Sequence, residues 1–312
     1  SERVFLGIDI GSASVRAGLF DANGRRLAFA VRPIQQFHPK PLFVEQSSSD
    51  IWAQTCAAVR EAIATAAIDP ARVVSIGVDA TCSLVAVGPN GQPVSVAETG
   101  EAERDIIMWM DHRAAAETAA INATQDPALA YVGGEVSIEM ELPKVLWIKQ
   151  NHPDRYAATW RFFDLADYLV WRLADADIAS VCTLTCKWNY LAHENRFSDT
   201  LLSAVGLTDL LGDAGGDQLG GRRDPVEPDH HGDESLAFGV VTQQSEGHRL
   251  ADPADAQQHQ GAGGRPAGAG NREQGFVAAR QLAVAADHHE RTLAEARGVR
   301  VDRHTATIPW CV

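Results

Sequence analysis

At 312 residues, the chain has the length of about two domains, each able to bury its own core. A net charge of −14 leaves no basic stripe with which to displace counterions from a nucleic acid, and nowhere do 18 apolar residues run together to cross a membrane. The expectation is an acidic protein acting on small molecules, and a cytoplasmic one, since the apolar run from Val4 to Ile10 is interrupted by Asp9 and is too short for a secretory signal.

The first predicted elements are three short β-rich runs, "RVFLGIDIG", "SVRAGLFD" and "RRLAFAVRPI". Turn residues separate them, Asn23-Gly24 among these, so they predict an antiparallel meander. After Ser47 to Asp50, apolar residues recur at Trp52, Cys56, Val59, Ile63 and Ala66, the spacing of one helical face. The nearly continuous apolar run "VVSIGVDA" (73–80) predicts a buried strand, and "SLVAVGPNG" (83–91) a second strand ending in a turn. Helices are expected at 114–122, at 143–151 with proline in the first turn, and at 164–173. This is a mixed α/β layout.

Beyond Leu211 the texture changes. Residues 212–312 contain no Lys, Met or Tyr, yet hold 15 of the 26 glycines and seven of the 11 histidines. Only 17 of these 101 residues are Val, Ile, Leu, Phe or Trp, too few to offset the entropy of ordering the chain. A domain 1–211 and an atypical tail 212–312 are therefore expected, with only 276–298 faintly helical. The tail reads as disordered, as a poorly patterned domain, or as out-of-frame translation of a GC-rich gene. The five cysteines, at 56, 82, 182, 186 and 311, form no CxxC pair, so reduced thiols are expected rather than a zinc site, and His230-His231 and His288-His289 have no matching cysteines.

The chemistry lies in the first half. A strand ending near Asp9, followed by Gly11, Ser12 and Ser14, makes a tight turn with backbone N–H groups and hydroxyls able to cradle a phosphate. Asp9 suits a hydrated Mg²⁺, which keeps most of its waters, and Arg16 adds positive charge beside a transferring phosphoryl group. An ordinary hairpin is the rival reading, and GxxxxGK[ST] is absent. Further on, Asp111 and Arg113 either face a ligand or pair with each other at a helix start, with Asp111 as N-cap. Lys187 is either a ligand cation or a surface charge lying on Trp188. Cys82 reads as a small buried hydrophobe with no catalytic role, and Trp109, Trp147 and Trp171 as core or pocket floor.

Six segments occur in order: "DIGSASVRAGLFD", "VDATCSLVAV", "IMWMDHRA", "YVGGEVSIEMELPKVLWIKQN", "FFDLADYLVWRLAD" and "SVCTLTCKWNYLAH". Together they resemble the FGGY carbohydrate kinases, in the ribulokinase-like branch nearest D-ribulokinases, over roughly residues 3–211. The resemblance implies an actin-like, ribonuclease H-like ATPase fold, with two α/β domains around a cleft, ATP and Mg²⁺ held mostly by the second and the sugar mostly by the first. It makes Asp9, Gly11, Ser12, Ser14 and Arg16 the phosphate and Mg²⁺ hairpin. Thr81, Cys82 and Ser83 become part of the sugar-pocket wall, Asp111, His112 and Arg113 a substrate-side segment, and Lys187 the lysine at the substrate.

The implied reaction moves the γ-phosphoryl of ATP to a primary hydroxyl of a ketopentose such as D-ribulose, by in-line positioning and charge neutralisation, with an aspartate taking the hydroxyl proton. That base belongs to a glycine-flanked segment of the second domain in the family. Here "GDAGGDQLGG" (212–221) comes too early and lacks flanking strands, so neither Asp213 nor Asp217 is nominated and the second domain is expected to be absent or replaced. A non-catalytic domain with at most sugar binding is the competing expectation. Partners are then a sugar and ATP, with no nucleic acid and no membrane, and the oligomeric state is open.

Overall fold

A computed structural model describes residues 3–211 and 239–240 of the chain. The predicted meander is present: β1 (Val4–Ile10), β2 (Ser14–Asp21) and β3 (Arg26–Pro33) pair antiparallel in sequence order. After α1 (Ser48–Ala66) the chain returns as β5 (Val73–Ala80), which lies parallel to β1, as expected when a helix makes the crossover. The short β9 (Gly239–Val240) pairs in parallel with β5, giving the sheet order β3-β2-β1-β5-β9.

A second sheet has the order β4-β7-β6-β8, built from β4 (Glu45–Gln46), β6 (Leu84–Val87), β7 (Ile106–Ile107) and β8 (Arg161–Asp164). Around it stand α2 (Ala115–Ala123), α3 (Glu141–Asn151), α4 (Pro153–Ala158), α5 (Leu165–Ala174), α6 (Val181–Trp188) and α7 (Asp199–Val205). Three expectations change in detail. The strand expected over 83–91 shrinks to β6, the helix expected from 143 starts at Glu141, and the helix expected from 164 starts one residue later because Arg161–Asp164 is a strand.

Two apolar clusters hold these layers. One packs Ile51, Val59 and Ala62 of α1 with Leu6, Ile8, Val15 and Leu19 of the first sheet, together with Val78. The other joins Leu142, Val145 and Leu146 of α3 to Leu84, Phe162, Trp188 and Leu201. Each buried Leu, Ile or Val contributes about 1.5–3 kcal/mol relative to an exposed one. Trp147 is buried in the second cluster and Trp171 packs against the first, as expected, whereas Trp109 does neither.

The tail expectations, including 276–298, the paired histidines and "GDAGGDQLGG", lie outside the described residues. So does Cys311; Cys56, Cys82, Cys182 and Cys186 form no disulfide among the described residues.

Candidate active site

The turn after β1 is built by register. Asp9 stands opposite Arg16 across the β1–β2 pair, and the two side chains form a half-exposed ion pair with Nη1 to Oδ2 at 2.6 Å. The Gly11 N–H donates to the Ser14 carbonyl at 3.0 Å and closes the turn. A Cβ at Gly11 would come within 3.3 Å of Arg16 Nη1, so the glycine leaves room for the guanidinium to lie against the turn. Asp9 Oδ1 has no protein partner among the described residues, a carboxylate oxygen of the kind that could accept from a water of a hydrated Mg²⁺. The hairpin residues therefore fit the phosphate and metal role: one carboxylate, one guanidinium, and a turn that admits close approach.

Residues 81–83 meet this hairpin directly. Because β1 and β5 run parallel with Ile10 beside Ala80, both strands end at the same edge, and the Thr81 N–H donates to the Ile10 carbonyl at 3.0 Å. Trp109 bridges the rest: its backbone N–H donates to Ser83 Oγ at 3.1 Å and its indole N–H to Ser12 Oγ at 2.9 Å. Of the two alternatives for Trp109, core or pocket floor, the structure disfavours core, since its polar edge joins two candidate segments and it belongs to neither apolar cluster.

For Asp111 and Arg113 the structure shows the pairing alternative. Both side chains are fully buried, and Asp111 accepts from Arg113 Nε at 2.9 Å and Nη2 at 2.7 Å, and from the Val44 N–H at 2.6 Å. Arg113 also donates to the Val96 carbonyl and Glu45 Oε1, and its guanidinium lies 4.1 Å from the Phe43 ring centre and 4.9 Å from that of Trp147. With four of the five N–H donors of Arg113 on protein acceptors and both side chains buried, the pair acts as a strut between these segments. It does not cap α2 either, whose N-cap is Ala114 with no side-chain hydrogen bond. His112 between them is exposed, 3.9 Å from Glu139.

Lys187, in the last turn of α6, does not lie on Trp188, which is buried, and makes no hydrogen bond or ion pair among the described residues. Its charge instead faces an acidic group that sequence reasoning missed. Glu141 at the start of α3 is buried with neither carboxylate oxygen hydrogen-bonded, and Lys144 stands 3.6 Å from it. Burial raises the Glu141 carboxyl to about 7 against the pull of Lys144 and Lys187. Asp164 at the end of β8 is buried with Oδ2 unpartnered; burial raises its carboxyl, and the nearby Asp167 and Glu141 charges raise it further. Asp167 is likewise raised by burial, opposed by hydrogen bonds from Thr183 Oγ1 and the Ser180 N–H.

Cys82 sits in the same group. Burial pushes its thiol well up, helped by Asp164, so it is an inert hydrophobe as expected. Thr81 Oγ1, Asn189 Oδ1 and Nδ2, and the Tyr190 hydroxyl are also buried without partners. Buried polar atoms are almost always paired, so the orphaned oxygens of Glu141 and Asp164, both within the field of Lys187, stand out. The signal was in the text of "ELPK" and "FFD", yet nothing in their spacing tells of burial. Among the described residues no group of three or more His, Cys, Asp or Glu is arranged to hold a metal ion, and no helix is long and apolar enough to cross a membrane.

Comparison with known proteins identifies the family. Residues 4–211 match the model of the amino-terminal domain of the FGGY family of carbohydrate kinases. An FGGY carbohydrate kinase domain-containing protein of Homo sapiens is 41% identical over 213 residues, 68% of this chain and 38% of that protein. A D-ribulokinase of Saccharomyces cerevisiae is 38% identical over 215 residues, 67% of this chain and 30% of that protein. The chain thus spans well under half the length of these relatives. The crystal structure of a xylulose kinase from Rhodospirillum rubrum shares the fold, with a TM-score of 0.56 at 22% identity over 65% of this chain and 41% of that one.

Proposed function

The chain belongs to the FGGY family of carbohydrate kinases, and on that premise we propose that it supplies the sugar pocket and one lip of the ATP site of a kinase for a ketopentose such as D-ribulose. The observation that carries this reading is the bridge from Ser12 through Trp109 to Ser83, which ties a phosphate-type turn to the strand end flanking the orphaned polar group. The likeness to the yeast D-ribulokinase supports a ketopentose over other polyols.

In this reading a primary hydroxyl of the sugar attacks the γ-phosphorus of ATP, the bond from that phosphorus to the β–γ bridging oxygen breaks, and ADP leaves with the electron pair. Arg16 and the turn amides offset charge on the phosphoryl oxygens, and Asp9 would hold a hydrated Mg²⁺, whose charge would neutralise the phosphates. Glu141 and Asp164 accept sugar hydroxyl hydrogens, while Lys187 donates to a sugar oxygen. The base that takes the reacting hydroxyl's proton is expected in a glycine-flanked segment of the second domain, and the sequence of residues 212–312 offers none with flanking strands. The 312-residue chain is therefore expected to bind sugar without turnover.

Calorimetry with D-ribulose, L-ribulose, xylulose and ribitol tests the pocket, and Lys187→Ala is expected to weaken the best of them at least tenfold. Absence of binding by all four sinks the sugar-pocket reading. A coupled ADP-release assay tests the rest, and clear turnover by this chain overturns the expectation of binding alone.

A further inference from the structure

Three side chains from outside the hairpin hold Ser12. Its backbone carbonyl accepts from Gln36 Nε2 at 2.6 Å and from Gln46 Nε2 at 3.0 Å, and its hydroxyl oxygen accepts the Trp109 indole N–H at 2.9 Å. The neighbouring carbonyls are occupied too: that of Ala13 by the Ile34 N–H at 3.1 Å and that of Ser14 by the Gly11 N–H at 3.0 Å. The Ser12 and Ala13 N–H groups, by contrast, donate to no acceptor among the described residues, and neither does the Ser12 hydroxyl. The turn has its acceptors consumed and its donors uncommitted, which is the polarity an anion needs.

Gln46 is the least expected member of this set. It is fully buried on β4, in the second sheet, and its Oε1 has no hydrogen-bond partner. A buried amide that leaves its acceptor orphaned forfeits part of what its one donated bond gains. Its neighbour Glu45 accepts from Arg113, so the same two-residue strand touches both the turn and the buried strut.

We propose that Gln46, Gln36 and Trp109 are positioning residues for phosphate. By consuming the Ser12 acceptors they fix the turn with its N–H groups available to the oxygens of a polyphosphate, and they tie that turn to the sugar-side sheet. The proposal rests on the reading of the hairpin as the phosphate turn.

The probe is metal-free inorganic pyrophosphate titrated into the full 312-residue chain, followed through the Ser12 and Ala13 amide resonances. In the wild type both resonances are expected to move. Gln46→Met and Trp109→Phe each delete one donor and keep apolar bulk; each is expected to raise the pyrophosphate midpoint about tenfold. Because Gln46→Met also deletes the orphaned oxygen, its urea midpoint is expected to stay at the wild-type value, which a purely structural glutamine would not allow. Should Gln46→Met fail to fold, Trp109→Phe decides alone. Resonances that move in the wild type with an unchanged midpoint in the variants overturn the proposal and spare the phosphate turn. Resonances that do not move in the wild type overturn the phosphate turn, and the proposal with it.

Discussion

Asp111 and Arg113 show why residue identity underdetermines role. An acid and a guanidinium two residues apart are the groups a polyol pocket uses, and equally those of a buried ion pair. What decides is the set of partners, Phe43, Val44, Glu45 and Val96, which lie 17 to 70 positions away in sequence and leave no periodic trace. Arg113→Met is expected to leave the Asp111 carboxylate buried without its cation, and Glu45 with only Arg104 at 3.8 Å, and to cost about 3–5 kcal/mol in urea unfolding. Glu45 already shows the strain of the arrangement, since burial raises its carboxyl even with Arg113 beside it. Lys187 stood out in the sequence as a candidate cation, but the acids near it did not. Glu141 just ahead of the expected helix 143–151 and Asp164 at the start of the expected helix 164–173 carry no mark of burial in the sequence.

At the scale of elements, legibility followed length and punctuation. The meander of β1, β2 and β3 and the long α1 declare themselves through turn residues and a stripe spaced by three and four. β8 did not, because its four residues run directly into α5 and one apolar pattern covers both. The two-residue strands β4 and β7 are too short to carry a pattern at all. Helix α1 begins where the sequence indicates, with Ser47 Oγ accepting the Asp50 N–H at 3.2 Å. Ser47→Ala is expected to cost about 1 kcal/mol, read as a lowered urea midpoint with unchanged slope.

For the whole molecule, buried carboxyls set the response to pH. Burial raises Asp105 to about 7 from 3.8, although Ser48 donates to it through both N–H at 2.8 Å and Oγ at 2.5 Å, and Glu141 rises to about 7 from 4.5. With the folded values above the unfolded ones, the folded state keeps protons that the unfolded chain releases. These groups' contribution to stability is full below the unfolded values, falls as pH rises from about 4 to about 7, and is absent above. The urea midpoint is therefore expected to be higher near pH 5 than near pH 8, and Asp105→Asn to flatten that difference. An unchanged slope in the variant assigns the dependence elsewhere. The family itself was legible over residues 4–211 from ordered motifs, because their sequence order survives where local pattern is ambiguous.

The shared last rung of β1 and β5 has a metrical consequence. One residue along a strand advances the chain by about 3.3 Å, close to the length of a hydrogen bond itself. Parallel pairing that sets Ile10 beside Ala80 thus works as a vernier between the turn that follows one strand and Thr81 to Ser83 that follow the other. A slip of a single position would carry the two out of reach, and every intermediate offset is forbidden by the pairing. The spacing between the proposed phosphate turn and the proposed sugar wall is in this way quantised by backbone pairing, before any side chain is chosen.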